Sequence, residues 1–428
     1  MFYLLLGIII LILLLIYAYV KEFAIQYSLL NKILLCFGII IFTLAIIMYP
    51  GESFKAALDG LNLWFNIVFP SLLPFFIGSE LLINLGVVGF IGTLLEPVMR
   101  PIFNVPGSGS FAFIMSVTSG YPVGSKIVAQ LYNNKMCNKS EAQRLLSFCS
   151  TSGPLYVIGA VAIGMLNMKE YGSLIISAHY LGALSVGLLF RFYKKNDRTK
   201  VPPQSGYIKR AFLNLKHTLS NEKRPFGQLL SESVRNSVNS MLLIGGFIVL
   251  FSVIIRLLTS SGIISIISDL MHMLLGFTGT SKSFLQSAAS GFFEITVGCK
   301  LIASANAMVN LKILAICTVI SWSGLSVHAQ VAGMISSTDL DMKIYVLCKM
   351  LHGLFSGLYA YILLGIWDKN NVSQVLSVFS DRLNTFENIS FLSRLFVSSG
   401  QFALILLFVI SVSLVYAIVR KIYSAVNR

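Results

Sequence analysis

The sequence predicts an all-α polytopic membrane protein: an inverted-repeat helix bundle with two re-entrant hairpins, broken helices and about nine transmembrane helices. Three observations predict it. First, 56% of the 428 residues are hydrophobic and 11% are charged, where a soluble domain carries about 25% charged residues. Second, nearly uncharged runs of about 18 residues or more recur, each long enough to cross a ~30 Å hydrocarbon core. Third, the order of elements in the first half returns in the second.

The elements follow in order. An apolar run over 2–20 lacks a positive leading region and a clear small-residue cleavage site, so it reads as a retained helix. A second helix over 33–50 ends at Pro50-Gly51. A third, about 55–85, contains Pro70 and Pro74 and should be kinked. Residues 90–104 are interrupted by prolines and read as interfacial. The segment 108–132 holds T-S-G-Y-P-V-G-S-K, poor helix material at membrane depth. Helix 145–166 contains S-T-S-G-P, and helix 171–191 leads into a basic loop. The second half offers helix 236–259, an interfacial stretch to about 279, and 281–305 with S-G-F-F-E-I-T-V-G-C-K. Helix 309–335 with S-W-S-G and helix 343–366 complete it. An amphipathic surface segment over 372–397 and a last helix over 400–420 close the chain.

Spacing supports duplication. Ser119-Gly120 precedes Ser152-Gly153 by 33 residues, and Ser290-Gly291 precedes Ser323-Gly324 by the same 33. The organisation is then two N-terminal helices (1–50), a first repeat (51–192), a basic loop (193–235), a second repeat (236–366) and a C-terminal segment (367–428). Nine basic residues between Lys194 and Arg224 face Asp197 and Glu222, which places this loop in the cytoplasm. The charge pattern is satisfied if 108–132 and 281–305 each enter and leave by one side, from opposite faces. The repeats are then inverted.

Irregular backbone at membrane depth survives only inside protein or beside a wet cavity. Inverted repeats with broken helices meeting near the midplane are a mark of secondary transporters. Half-helix N-termini favour anions. Four breaks are expected to converge: Ser119, Gly120, Tyr121 and Gly124 in the first; Thr151, Ser152 and Gly153 in the second; Gly291 to Gly298, with Glu294 and Thr296, in the third; Ser323 and Gly324 in the fourth. Lys126, Lys300 and Gln330 join the candidate solute-binding set. Each lysine either faces a solute or snorkels to headgroups. Glu80 fits helix-end solvation as well as function. His328 fits packing better than proton carriage. Tyr121 and Trp322 either stack on a ring or pack.

Other classes find little support. Six cysteines form no Cys-x-x-Cys pair, so neither a disulfide framework nor a metal site is expected. The basic loop lacks the aromatic interleaving of nucleic-acid binders. No Walker A or His-Glu-x-x-His motif occurs, so no cofactor and no enzymatic activity are expected. Expected partners are a small-molecule solute and the lipid bilayer, and homo-oligomerisation is compatible with the sequence. A membrane scaffold acting through the basic loop and the 372–397 segment is the rival class.

Four motifs carry a resemblance: F-P-S-L-L-P-F-F-I at 69–77, L-E-P-V-M-R-P-I-F at 95–103, S-G-Y-P-V-G-S-K at 119–126 and T-S-G-P-L-Y-V-I-G-A-V-A at 151–162. Together they resemble the YlbJ family of sporulation integral membrane proteins, also called SpoVV, over about 50–365. The resemblance implies two nucleoside-recognition Gate domains and kinship with concentrative nucleoside transporters. It also implies a role in endospore formation, in the outer forespore membrane, moving dipicolinic acid toward the spore. A planar aromatic dianion suits helix N-termini, serine hydroxyls and lysines; Glu294 keeps a nucleoside-type solute open.

Overall fold

The computed structural model describes residues 27–197, 207–276 and 279–369. The expected helices at 2–20 and 400–420 and the surface segment 372–397 lie outside the described residues. Among the described residues all regular structure is helical.

Helix α1 (Tyr27–Met48) is apolar throughout and stops at Pro50, which cannot donate a backbone hydrogen bond to it. Pro50 instead opens α2 (Pro50–Leu63), where its missing N–H is harmless. The two segments meet at 102°. Helix α2 passes through a wide π turn, Trp64–Val68, into α3 (Phe69–Asn84). The π turn sits immediately before Pro70, so the expected irregularity appears just upstream of the proline. Helix α4 (Val87–Phe103) runs unbroken through Pro97 and Pro101, where the sequence predicts an interrupted stretch.

Two short helices, α5 (Gly109–Ser119) and α6 (Val123–Asn133), flank the first glycine-rich break. Helix α7 (Lys139–Phe148) begins with a capping box between Asn138 and Glu141. A non-helical stretch over 149–153 separates it from α8 (Leu155–Met165), which is wound as a π-helix. Helix α9 (Gly172–Phe190) follows. Within the predicted basic loop, residues 207–221 instead form helix α10 (Tyr207–Asn221). It packs on α4 through Phe90 and Phe212, whose ring centroids are 5.0 Å apart, and an Asn214–Thr93 hydrogen bond of 3.1 Å.

The second half runs α11 (Phe226–Ser260), α12 (Ile263–Leu275), α13 (Lys282–Phe293), α14 (Ile295–Ser304), α15 (Val309–Trp322), α16 (Gly324–Met334) and α17 (Met342–Lys369). Each half thus has a left-handed glycine turn (Gly86, Gly262), an amphipathic helix, a pair of short helices, a broken helix and a long helix. Helix α11 lies along α2 and the π turn: Trp64 Nε1 donates to the Met241 carbonyl at 3.1 Å. Its ring fills the space a side chain at Gly245 would need.

Among the described residues four helices are long and apolar enough to span a membrane: Lys169–Phe190, Phe226–Ser260, Val309–Met334 and Met342–Ile366. The bent α1/α2 pair makes a fifth. The expected span at 145–166 is absent from this set because its break leaves arms of 10 and 11 residues, each about 15 Å long.

One buried cation ties the helix ends together. Arg144 on α7 is 1% exposed. Its guanidinium donates to the carbonyls of Asn104 (2.7 Å), Tyr193 (2.8 Å), Lys194 (2.6 Å) and Asp197 (2.8 Å). These lie at and just beyond the C-termini of α4 and α9, where helices leave carbonyls unpaired. Lysine has too short a fork to reach four carbonyls on two chain segments. Arg144→Lys and Arg144→Met should each cost ~3 kcal/mol or more through stranded carbonyls. Both should lower the apparent melting temperature in detergent; a wild-type melting curve for either would contradict the clamp.

Candidate functional site

The site is assembled from two crossings. In the first, Gly120 ends α5 with φ 77°. A Cβ there would stand 2.8 Å from the Gly153 amide nitrogen. Gly124 lies against the Cys149 carbonyl and Ser116 so closely that any side chain would overlap them. In the second, Gly298 crosses Gly291 with no room for a Cβ. Gly324, φ 70°, passes the Phe293 carbonyl and the Glu294 backbone. Each short-helix pair therefore presses its tip into the broken helix of its own half. The matched Ser-Gly dipeptides mark those contacts because only glycine permits them.

The broken backbones find partners locally. The Thr151 amide donates to Ser116 Oγ at 2.9 Å, and the two hydroxyls pair at 2.8 Å. The Ser152 amide donates to His179 Nε2 at 2.9 Å. Tyr180 donates to the Val117 and Ser152 carbonyls, at 3.2 and 3.1 Å. Glu294 caps α14: Oε2 accepts from the Val297 amide at 2.7 Å and Oε1 from Thr296 Oγ1 at 3.1 Å. His328 Nδ1 donates to the Gly324 carbonyl at 2.6 Å.

Where the crossings meet lies a cavity of ≈ 50 Å³, lined by Ser119, Gly120, Tyr121, Ser152, Gly153, Tyr156, Glu294, Ile295, Thr296 and Gln330 among others. Both halves thus contribute candidate residues to one space. Tyr156 reaches Thr296 Oγ1 at 3.4 Å from the first half to the second. Thr151, Ser323, Gly324 and Gly124 are buried in the packing around it rather than in its lining. Trp322 stacks on Phe292 with centroids 5.0 Å apart and donates to the Phe292 carbonyl, so its ring is engaged in packing.

The two lysines lie elsewhere. Lys126 is exposed and lines a cleft of ≈ 270 Å³ with Glu80, Gln130 and Asn236. Lys300 is exposed and lines a second cleft, of ≈ 310 Å³, with Asp59, Arg256 and Gln286. One turn beyond each tip, they point away from the inner cavity. The first cleft and the cavity share Ser119. V-G-S-K at 123–126 recurs as V-G-C-K at 297–300, a signal in the sequence that these clefts are counterparts.

Sequence reasoning missed three residues beside the cavity: His179, Lys349 and His352. Lys349 is fully buried on α17, and its ammonium donates to Tyr121 OH at 2.8 Å and to the Ser150 carbonyl at 2.9 Å. Lys349 and His352 fall on one face of an apolar helix, and an ionisable residue in a span is a functional candidate by default. That signal lies on α17, outside the broken segments.

The crossings make a direct prediction. Gly124→Ala and Gly298→Ala should each cost roughly 2 kcal/mol or more, because backbone must move. Gly159→Ala, in α8 with open space around it, should be neutral. Fluorescence-detected size exclusion and thermal melting would check this, and equal behaviour of all three would contradict the crossing geometry.

A family model described as Gate, nucleoside recognition, matches residues 65–187. The sporulation integral membrane protein YlbJ of Bacillus subtilis (strain 168) is 40% identical over 341 residues, 78% of this chain and 83% of that protein. Solved structures of CNTnw are similar in fold at low identity. One in an intermediate state has a TM-score of 0.48 at 15% identity, covering 83% of this chain and 91% of that one. An outward-facing one has a TM-score of 0.45 at 13% identity, covering 79% and 86%. By its identity and coverage with YlbJ, the chain belongs to the YlbJ family of sporulation integral membrane proteins.

Proposed function

We propose that this protein is a secondary transporter or facilitator of a small anionic solute, working without catalysis by alternating access. In this reading the two halves are inverted repeats, and α5/α6 and α13/α14 are re-entrant gates. In the sporulation setting of its family, the solute is dipicolinic acid and the membrane the outer forespore membrane. The observation that carries the reading is one cavity bordered by both hairpin tips and the first helix break, with a cleft beside each hairpin. Helices α6, α8 and α14 all begin at that cavity, and helix N-termini favour anions.

The cavity holds only ≈ 50 Å³. Ligand sites run to about 300 Å³ or more, so loading a planar dicarboxylate requires a tip to withdraw. The clefts of ≈ 270 and ≈ 310 Å³ are the spaces into which solute would first enter. There Lys126 or Lys300 supplies an attracting charge.

A nucleoside-type solute is the second reading, favoured by Glu294 and Gln330 in the cavity wall. A carboxylate and an amide suit ribose hydroxyls. One substitution separates the two. Glu294→Gln keeps an oxygen to cap α14 but removes a negative charge. For a dianion it should lower the half-saturation concentration about tenfold; for a nucleoside it should raise it by a similar factor. The measurement is uptake of radiolabelled dipicolinate or uridine into proteoliposomes. Absence of saturable dipicolinate flux by the wild type would remove that solute, and loss of function on loop deletion alone would favour a scaffold.

A further inference from the structure

Behind the cavity wall three basic side chains form a chain that the pathway above does not use. Lys349 and His352 stand one turn apart on α17, and His179 meets them from α9. None is more than 1% exposed. Lys349 Nζ lies 3.0 Å from His352 Nδ1, and His352 Nε2 lies 2.8 Å from the His179 carbonyl. A carbonyl can only accept, so the proton of neutral His352 is on Nε2, and Nδ1 accepts from Lys349. His179 Nε2 faces the Ser152 amide, which can only donate. Its proton is therefore on Nδ1, 2.7 Å from Ser321 Oγ. Backbone groups fix both tautomers.

The charge of this chain is uncompensated at short range. Among the described residues none of the three forms an ion pair. The other titratable groups facing the chain are Tyr121 at the hairpin tip, Tyr345 and Cys348 on α17, Tyr180 on α9, and His328 on α16, whose ring lies 5.3 Å from Tyr345. Both ends of the chain touch the cavity wall: Lys349 through Tyr121, and His179 through Ser152.

The geometry points to the His179–His352–Lys349 chain as a proton-binding site that controls an anion donor in the cavity wall. A proton from the aqueous phase, added at His179 Nε2, turns that nitrogen from acceptor to donor. The Ser152 amide then loses its partner. It lies in the break three residues before α8 begins, and a backbone N–H left without a partner there is suited to an anionic oxygen. A second positive charge beside Lys349 is repelled in an apolar setting, and a bound anion cancels it. Proton and anion therefore raise each other's affinity by one factor, and they move together. This rests on the anion-transport reading above.

The test is equilibrium binding of radiolabelled dipicolinate to the purified full-length protein between about pH 8 and about pH 5. Wild-type affinity should rise about tenfold toward the acid end. His179→Gln, whose side chain accepts from Ser152 and donates to Ser321 without titrating, should bind with one affinity at every pH. A pH-independent wild type would overturn the proposal. So would a His179→Gln variant that keeps the full pH response. Should His179→Gln fail to fold, Lys349→Met serves: removing the neighbouring charge should move the wild-type profile to higher pH, and an unmoved profile overturns the proposal. If wild type binds no dipicolinate at any pH, the solute assignment fails, and the proton site is read without solute. In 15N-histidine spectra the His179 signal should titrate at higher pH in Lys349→Met than in wild type. A signal held in the Nδ1–H form throughout in both would overturn the site itself.

Discussion

A helix broken in hydrocarbon leaves N–H and C=O groups that lipid cannot satisfy, at several kcal/mol each. That constraint organises this protein. Each break is met by the tip of a short-helix pair, and the fit is close enough to demand glycine at Gly120, Gly124 and Gly324, while Gly298 lets the second pair's own helices cross at Gly291. Side chains supply the remaining partners: Ser116 for the Thr151 amide, His179 for Ser152, Glu294 for Val297. None of these groups is free to move alone. A hairpin that withdrew without a substitute partner would strand the backbone it covers.

The same bonds join the halves. Tyr121 at the first tip donates to the Ile320 carbonyl on α15 at 3.0 Å and accepts from Lys349 on α17. Ser150 in the first break pairs with Tyr345 of α17 at 3.0 Å, and Ser321 of α15 with His179. Buried Gln143 exchanges two hydrogen bonds with the backbone of Asp341. Opening the cavity on the first-hairpin side therefore means exchanging the Tyr121 contacts. A polar solute with hydrogen-bonding groups can offer replacements; an empty cavity cannot. Under the proposed transport, this is a physical reason for solute to be required in the motion.

Much of this was legible in the sequence, for a definite reason. Ser-Gly dipeptides at equal intervals report backbone geometry, and backbone geometry is local. The breaks, the hairpin segments and the cavity residues Ser119, Gly120, Ser152, Gly153, Glu294 and Gln330 follow from it. Side-chain direction is not local. Lys126 and Lys300 stand one helical turn from their tips, which is enough to aim them into clefts instead of the cavity. Helix α10 was hidden because its basic residues read as loop, although apolar positions recur every three to four residues beneath them. The Lys349 contacts span almost 200 residues or more, to Ser150 and Tyr121. No spacing rule in the sequence announces a partner that distant.

The proton site gains meaning from where the halves differ. His179 and His352 are 173 residues apart, close to the 171 that separates Ser152 from Ser323. Their rings lie 4.7 Å apart, although at an offset of 171 the position matching His179 is Met350. At that offset the position matching Lys349 is Ala178. The clefts show the opposite pattern, with Lys126 and Lys300 in matching V-G-S-K and V-G-C-K segments. A solute thus meets similar chemistry on entering from either side, whereas the buried charge belongs to one half alone. In the proposed transport, matching clefts suit passage in both directions. A lysine that stands beside the histidines in the second half alone would make the two directions inequivalent, because no such base has a counterpart in the first half.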